Sequence, residues 1–106
     1  MVDSGMDQQN LLTLYAVLYS PGPEFERLGE RKAELQGRHV DYQVGQFKEG
    51  RLVMGGPYNG LPGGIALFRA DSRDEVERIV AADPATIGGL YATEVRAWEV
   101  VLNGYS

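Results

Sequence analysis

Two side chains in this sequence are of types that carry out proton transfer. His39 is the only histidine of the chain, and imidazole is the side chain that exchanges protons most readily near neutral pH, so it is the best candidate for a general acid or base. Asp83 precedes Pro84, as a helix cap precedes the first helical residue. A carboxylate can also orient an imidazole by accepting its hydrogen bond. Each residue has a purely structural interpretation as well, and spacing alone does not decide between them.

Other kinds of site have little support in the sequence. The absence of cysteine excludes disulfides, thiolate catalysis and zinc sites that need sulfur. One histidine without a nearby carboxylate cluster falls short of the usual metal-ligand set. The pairs Gly55-Gly56 and Gly88-Gly89 lack the spacing of phosphate-binding loops. We therefore expect neither a metal nor a cofactor.

The charge pattern limits the partners. Fifteen acidic residues outnumber ten basic ones, the formal net charge is −5, and the basic residues are scattered rather than clustered. Nucleic acid is therefore a poor candidate partner. No apolar run approaches the roughly 20 residues that span a bilayer, so no membrane association is expected, and a cytoplasmic location is the default.

Apolar periodicity predicts the elements that must position these side chains. The predicted strands cover residues 11–20, 51–56, 64–70 and 93–102, and the predicted long helices cover about 30–49 and 72–82. A short turn or helix is expected between Asp83-Pro84 and Gly88-Gly89. The order β-α-β-β-α-β is that of the ferredoxin-like α+β fold, a four-stranded antiparallel sheet with two helices on one face.

We expect residues 11–106 to form a single domain, because each of two smaller domains would be too small to hold its own core. Residues 1–10 are polar and without apolar period, so we expect a flexible N-terminal arm.

The first helix is expected to bury a stripe of residues at three-to-four-residue spacing. Relative to this stripe, His39 is turned by about 100° around the helix axis, which places it at the edge of a cleft rather than in the middle of the core. The stripe consists of Ala33, Gly37, Val40, Val44 and Phe47.

The strand at 11–20 is largely apolar on both faces, although the helices cover only one face of the sheet. No segment remains to cover the other face, so a homodimer that packs sheet against sheet around a barrel-like interior is expected. The alternative is a monomer with an open apolar groove. Aromatic residues that can line a pocket for a ring are Tyr15, Tyr19, Tyr42, Tyr58, Tyr91 and Trp98.

Several short runs, in their order and spacing, resemble the YCII-related (YciI-like) proteins over nearly the whole chain after residue 10. These runs are Gly37-Arg38-His39-Val40-Asp41-Tyr42, Glu49-Gly50-Arg51-Leu52, Gly55-Gly56-Pro57, Asp83-Pro84 and Val95-Arg96-Ala97-Trp98. The resemblance implies a dimeric α+β barrel, a fold shared with muconolactone-isomerase-like enzymes. It also implies a His/Asp active site in a cleft, which maps onto His39 and Asp83.

The sequence departs from some relatives at two positions. Gln36 stands where some have an arginine three residues before the histidine, and Ala85 follows the Asp-Pro pair where they have an aromatic residue. At least one relative resembles a dehydrochlorinase of a chlorinated hydroxyquinol, while most have no assigned reaction. These departures bear on substrate identity more than on the fold.

The resemblance favours a cofactor-independent lyase or isomerase that transfers a proton on a small cyclic or aromatic molecule. His39 is then the general acid or base and Asp83 orients it, while Tyr42 and the Gly56-Pro57 backbone are expected to bind substrate. Two alternatives stay open at this point. One is a non-catalytic small-molecule-binding or accessory dimeric module, and the other is a regulatory module whose partner is another protein.

Overall fold

Four strands and three helices follow one another in the computed structural model, which describes residues 12–105. The arm predicted for residues 1–10 lies outside the described residues. The predicted order of elements is confirmed, and the boundaries differ from the predicted ones by one or two residues. In chain order the elements are β1 (Leu12–Pro21), α1 (Arg31–Lys48), β2 (Leu52–Pro57), β3 (Gly64–Phe68), α2 (Arg73–Ala81), α3 (Pro84–Ile87) and β4 (Tyr91–Val100).

The four strands form one antiparallel sheet in the order β2-β3-β1-β4. The first strand therefore lies in the interior of the sheet, where it pairs with β4 from Leu12 opposite Val100 to Pro21 opposite Tyr91. This order, with helical connections after β1 and β3, is the ferredoxin-like arrangement. The predicted fold class is confirmed.

The turn of the β2–β3 hairpin lies close to the backbone of β1. The Tyr58 N–H donates to the Gly63 carbonyl over 2.9 Å. Gly63 has a φ of +103°, and a β-carbon there would lie 2.1 Å from the Tyr19 carbonyl oxygen. Only glycine combines this backbone conformation with so close an approach.

The caps of α2 and α3 follow the sequence signals. The Ser72 hydroxyl accepts a hydrogen bond from the Glu75 N–H over 3.2 Å, whereas the Glu75 carboxylate accepts from the Asp71 N–H. The Asp83 side chain caps α3 by accepting from the Ala85 N–H over 2.9 Å. The start of α3, and with it the place of Asp83, is thus fixed by local chemistry.

The main core lies between the sheet and α2. Val76 and Val80 of the helix pack on a layer of strand residues that project from the same face of the sheet. Burial of this apolar surface is the main stabilising contribution. The strand residues of this layer are Val17, Tyr19, Leu52, Ala66, Phe68 and Val95.

The prediction for the buried face of α1 is wrong. Val40, Val44 and Phe47 are 46%, 43% and 59% exposed, and the helix buries Leu35 and His39 instead. Polar side chains of α1 find hydrogen-bond partners in the interior, so the burial of His39 does not leave a polar group unpaired. His39 consequently lies within the buried face of the helix rather than at its edge.

The sheet face opposite the helices is partly open and largely apolar, with Glu94 and Arg96 of β4 as charged residues on it. Even-numbered residues of β1 share this face with their partners on the neighbouring strands. Leu12, Met54, Ile65 and Trp98 are between 39% and 46% exposed there. Within residues 12–105, none of the helices has the length and apolar character to cross a bilayer.

Candidate active site

The candidate site is built around a contact between α1 and the residue before α3. His39 Nδ1 lies 2.6 Å from Asp83 Oδ2, and the two residues are 6% and 1% exposed. The other carboxylate oxygen, Oδ1, accepts the hydrogen bond from the Ala85 N–H. The cap therefore fixes the rotation of the carboxylate and directs Oδ2 at the imidazole.

This contact determines which ring nitrogen is free. An ionised carboxylate can only accept hydrogen bonds, so Nδ1 donates and Nε2 of the neutral ring carries a lone pair. Nε2 has no hydrogen-bond partner among residues 12–105. The one fully buried side-chain polar atom without a partner in that range is Thr86 Oγ1. Nε2 is thus accessible, and His39 lines a cavity.

The cavity has a volume of about 230 Å³ and lies between α1 and the end of the sheet formed by β1, β2 and β3. Three of the four lining residues from α1 are polar, and four of the eight others are glycines. The lining residues are Tyr19, Gln36, His39, Val40, Gln43, Gly55, Gly56, Pro57, Gly63, Gly64, Ile65 and Tyr91. His39 is the one histidine among these lining residues.

Missing side chains make room for the cavity. Gly55 pairs with Ala66 of the helix-covered face, so a side chain at position 55 would project between the sheet and α1. A β-carbon on Gly64 would lie 2.3 Å from the Gly56 carbonyl oxygen. Glycine therefore has two functions here, because it leaves space in front of His39 and permits close packing of the hairpin.

Two tyrosines hold the imidazole in place. The His39 ring makes edge contacts with Tyr19 and Tyr91, with centroids 5.1 and 5.4 Å away and interplanar angles of 67° and 68°. Gln43 Nε2 donates to the Tyr19 hydroxyl over 3.3 Å, and the Tyr91 hydroxyl donates to Gln36 Oε1 over 2.6 Å. The ring orientation is therefore set by packing as well as by Asp83.

The surroundings keep both phenols protonated. Burial, with the negative charge of Asp83 as a second cause, raises the pKa of Tyr19 far above its ordinary value. The same two causes raise the pKa of Tyr91. At neutral pH both hydroxyls are therefore hydrogen-bond donors.

A family model for the YCII-related domain matches residues 13–99, most of the chain. The chain belongs to the YCII-related family. A similar solved structure is 5-chloro-2-hydroxyhydroquinone dehydrochlorinase (TftG) from Burkholderia phenoliruptrix, in complex with 2,5-dihydroxybenzoquinone. The two are 26% identical with a TM-score of 0.61, over 80% of this chain and 92% of that one. No curated protein sequence matches this one.

In this YCII-related chain, four of the five predicted site residues lie at or behind one cavity. His39, Gly56 and Pro57 line it, and Asp83 contacts His39 from behind. Tyr42 does not belong to this group, because its hydroxyl donates to the Ile79 carbonyl over 2.6 Å and it is not part of the cavity lining. This hydrogen bond connects α1 to α2.

The predicted site residues did not include the two glutamines of the YCII-related site, although the resemblance had marked Gln36 as a position that bears on substrate identity. Gln36 and Gln43 lie three residues before and four residues after His39, so all three share one face of α1. This spacing relative to His39 was the signal from which both glutamines could have been predicted as site residues. Within residues 12–105, no three histidine, cysteine or acidic side chains come together as a metal site would require.

Proposed function

We propose that this protein is a cofactor-independent lyase or isomerase that transfers a proton on a small cyclic or aromatic molecule. The observation that carries the proposal is the 2.6 Å contact of His39 Nδ1 with Asp83 Oδ2, which leaves Nε2 free beside a cavity. His39 is the general base and then the general acid, and Asp83 is the residue that positions it.

The proton transfer balances without an external reactant. Nε2 accepts a proton from a substrate oxygen or carbon, and the electron pair that remains forms a new double bond in the substrate. In an elimination, the imidazolium returns this proton to the ring carbon that carries chlorine, which becomes tetrahedral. Removal of a second hydroxyl proton then forms a second carbonyl, the ring double bond shifts to this carbon, and the carbon–chlorine bond breaks with its electron pair. Chloride leaves, and the imidazolium releases the second proton to water. In an isomerisation, the imidazolium returns the proton to another atom of the same molecule. The Asp83 carboxylate stabilises the imidazolium between these steps.

The dimensions of the site and the comparison agree with this chemistry. A cavity of about 150 Å³ is enough to take up benzene, so about 230 Å³ accommodates one substituted six-membered ring. The similar structure is a dehydrochlorinase that holds a dihydroxybenzoquinone. For this chain we therefore propose a ring of that size as substrate.

The direct test is chloride release from 5-chloro-2-hydroxyhydroquinone by the purified protein. A parallel assay in D₂O follows the exchange of ring hydrogens of hydroxyhydroquinone for deuterium, since this exchange needs proton transfer but no leaving group. We expect the protein to accelerate at least one of the two reactions. Acceleration of neither, by protein that binds these rings, would favour the non-catalytic binding module.

We also propose that the open sheet face is covered by a second copy of the chain. The support is its content of exposed apolar side chains, together with the position of all three helices on the other side of the sheet. Trp98, the single tryptophan, is 46% exposed on this face. A sheet-to-sheet homodimer would remove these side chains from water.

Substitution of Trp98 by glutamate tests the dimer. An unpaired carboxylate buried in an apolar interface is costly, so we expect Trp98→Glu to weaken self-association by about a hundredfold or more. Sedimentation equilibrium should give twice the chain mass of 11.6 kDa for the unmodified protein and the single mass for the variant. Ile87→Glu is the matched control, because Ile87 is 73% exposed on α3. An unmodified protein that is monomeric at 100 µM would exclude the dimer.

A further inference from the structure

We propose that two glutamine–tyrosine pairs on either side of His39 bind the oxygen substituents of the ring that enters the cavity. One arm is Gln36 with Tyr91, and the other arm is Gln43 with Tyr19. The inference rests on the proposed function for the place where the ring binds. It adds the class of ligand, a six-membered ring that carries at least two hydroxyl or carbonyl oxygens.

The arms are arranged around the histidine by the periods of helix and sheet. Gln36 and Gln43 lie about one helical turn before and after His39, so the three side chains form a row on the buried side of α1. Tyr19 and Tyr91 project from the same face of the neighbouring strands β1 and β4, with ring centroids 5.9 Å apart. All four side chains line the cavity.

Each arm leaves a donor hydrogen unused. In the first arm, Gln36 Oε1 accepts from the Tyr91 hydroxyl, and the Gln36 amide N–H groups have no partner among residues 12–105. In the second arm, the Tyr19 oxygen accepts from Gln43 Nε2, so its own O–H hydrogen is free. Gln36 and Tyr19 therefore donate to the ligand, while Tyr91 positions Gln36. Gln43 positions Tyr19 and has a second amide hydrogen of its own.

The donors fit oxygen atoms that gain negative charge during the reaction. When His39 removes a proton, charge moves onto the oxygens of a hydroxylated ring, and donors already aimed at these atoms stabilise it. No lysine, arginine or acidic side chain is among the lining residues of the described cavity. Recognition thus depends on neutral hydrogen bonds, which favour hydroxyl and carbonyl groups over an apolar substituent of similar size.

The test uses hydroquinone and p-xylene as probes, because a hydroxyl and a methyl group are similar in size. Their dissociation constants for the full chain are measured by NMR titration, and the hydroquinone value is divided by the p-xylene value. We expect this ratio to rise about threefold to tenfold in Gln36→Leu and in Tyr19→Phe, the effect of one neutral hydrogen bond. The p-xylene affinity itself should not fall, which shows that the cavity is intact.

Double variants separate the two arms. Gln36→Leu with Tyr91→Phe should raise the ratio no more than Gln36→Leu alone, because the two residues act as one unit. Gln36→Leu with Tyr19→Phe should multiply the single effects. Matched controls are Gln46→Leu and Tyr42→Phe, since both side chains have hydrogen-bond partners away from the cavity. The proposal is overturned if the single variants leave the ratio unchanged or if the controls raise it equally.

The result is independent of the reaction. Binding of hydroquinone needs no proton transfer, so the same ratios should be obtained in a His39→Gln background. A protein that shows these ratios but no chloride release or ring-hydrogen exchange would support the arms and contradict the proposed reaction. Activity with unchanged ratios would contradict the arms alone.

Discussion

Replacement of His39 by glutamine is expected to lower the rates of chloride release and ring-hydrogen exchange by about a hundredfold to ten-thousandfold, the usual contribution of a positioned general base. Glutamine has an amide group that can still donate to Asp83 Oδ2, so the buried carboxylate keeps a partner. It has no group that accepts a proton at neutral pH. The loss therefore reports on proton transfer rather than on folding.

The matched control is Arg38→Gln, the same replacement one position earlier. The Arg38 side chain is 62% exposed and pairs with Glu34 on the surface of α1, so this variant should keep its rates. Initial rates and thermal unfolding would be measured for both variants. A His39→Gln protein that is folded and retains its rates would refute the assignment of His39 as the base.

Replacement of Asp83 by asparagine is expected to lower the same rates by a similar factor, although the helix cap is kept. Asparagine caps a helix as well as aspartate does, so its oxygen can still accept from the Ala85 N–H. Its amide nitrogen then faces His39 Nδ1 and donates to it. The proton of the neutral ring moves to Nε2, and the nitrogen beside the cavity can no longer act as a base.

This change of tautomer is directly observable. The chain has one histidine, so ¹⁵N-detected NMR shows a single imidazole whose two nitrogen shifts identify the protonated atom. We expect the proton on Nδ1 in the unmodified protein and on Nε2 in Asp83→Asn. Asp83→Ala serves for comparison, because it also loses the cap and about 1 kcal/mol of stability with it. Unchanged shifts and rates in Asp83→Asn would show that Asp83 only caps α3.

Of the two contacts that the Asp83 carboxylate makes, local sequence predicted the helix cap but not the contact with His39. The cap depends on residues 83–85, which are adjacent in the chain, and was predicted from them. The contact with His39 joins residues 44 positions apart, and it depends on how α1 and α3 pack. Only the family resemblance indicated it, because no local pattern carries that information.

The prediction of the buried face of α1 failed for a different reason. Apolar periodicity assumes that polar residues face water, and it therefore selected Val40, Val44 and Phe47. The interior instead receives Leu35 and His39, with His39 paired to Asp83, while the half-buried Tyr42 donates to the Ile79 carbonyl. A polar residue with a partner is buried at little cost, and such a partner cannot be recognised from the helix sequence alone.

The glycine lining of the cavity has a consequence for how this site can diversify. A β-carbon on Gly56 meets nothing within 4 Å, and one on Gly55 comes no closer than 3.3 Å to its neighbours, whereas Gly63 and Gly64 have no such space. A side chain at position 56 would project from the open sheet face, as Ile65 opposite it does, and would leave the cavity unchanged. A side chain at position 55 would enter the cavity after a small shift of the Ile65 carbonyl, whereas positions 63 and 64 accept none. Mutation at position 55 can thus change the shape of the cavity while the His39–Asp83 pair stays unaltered.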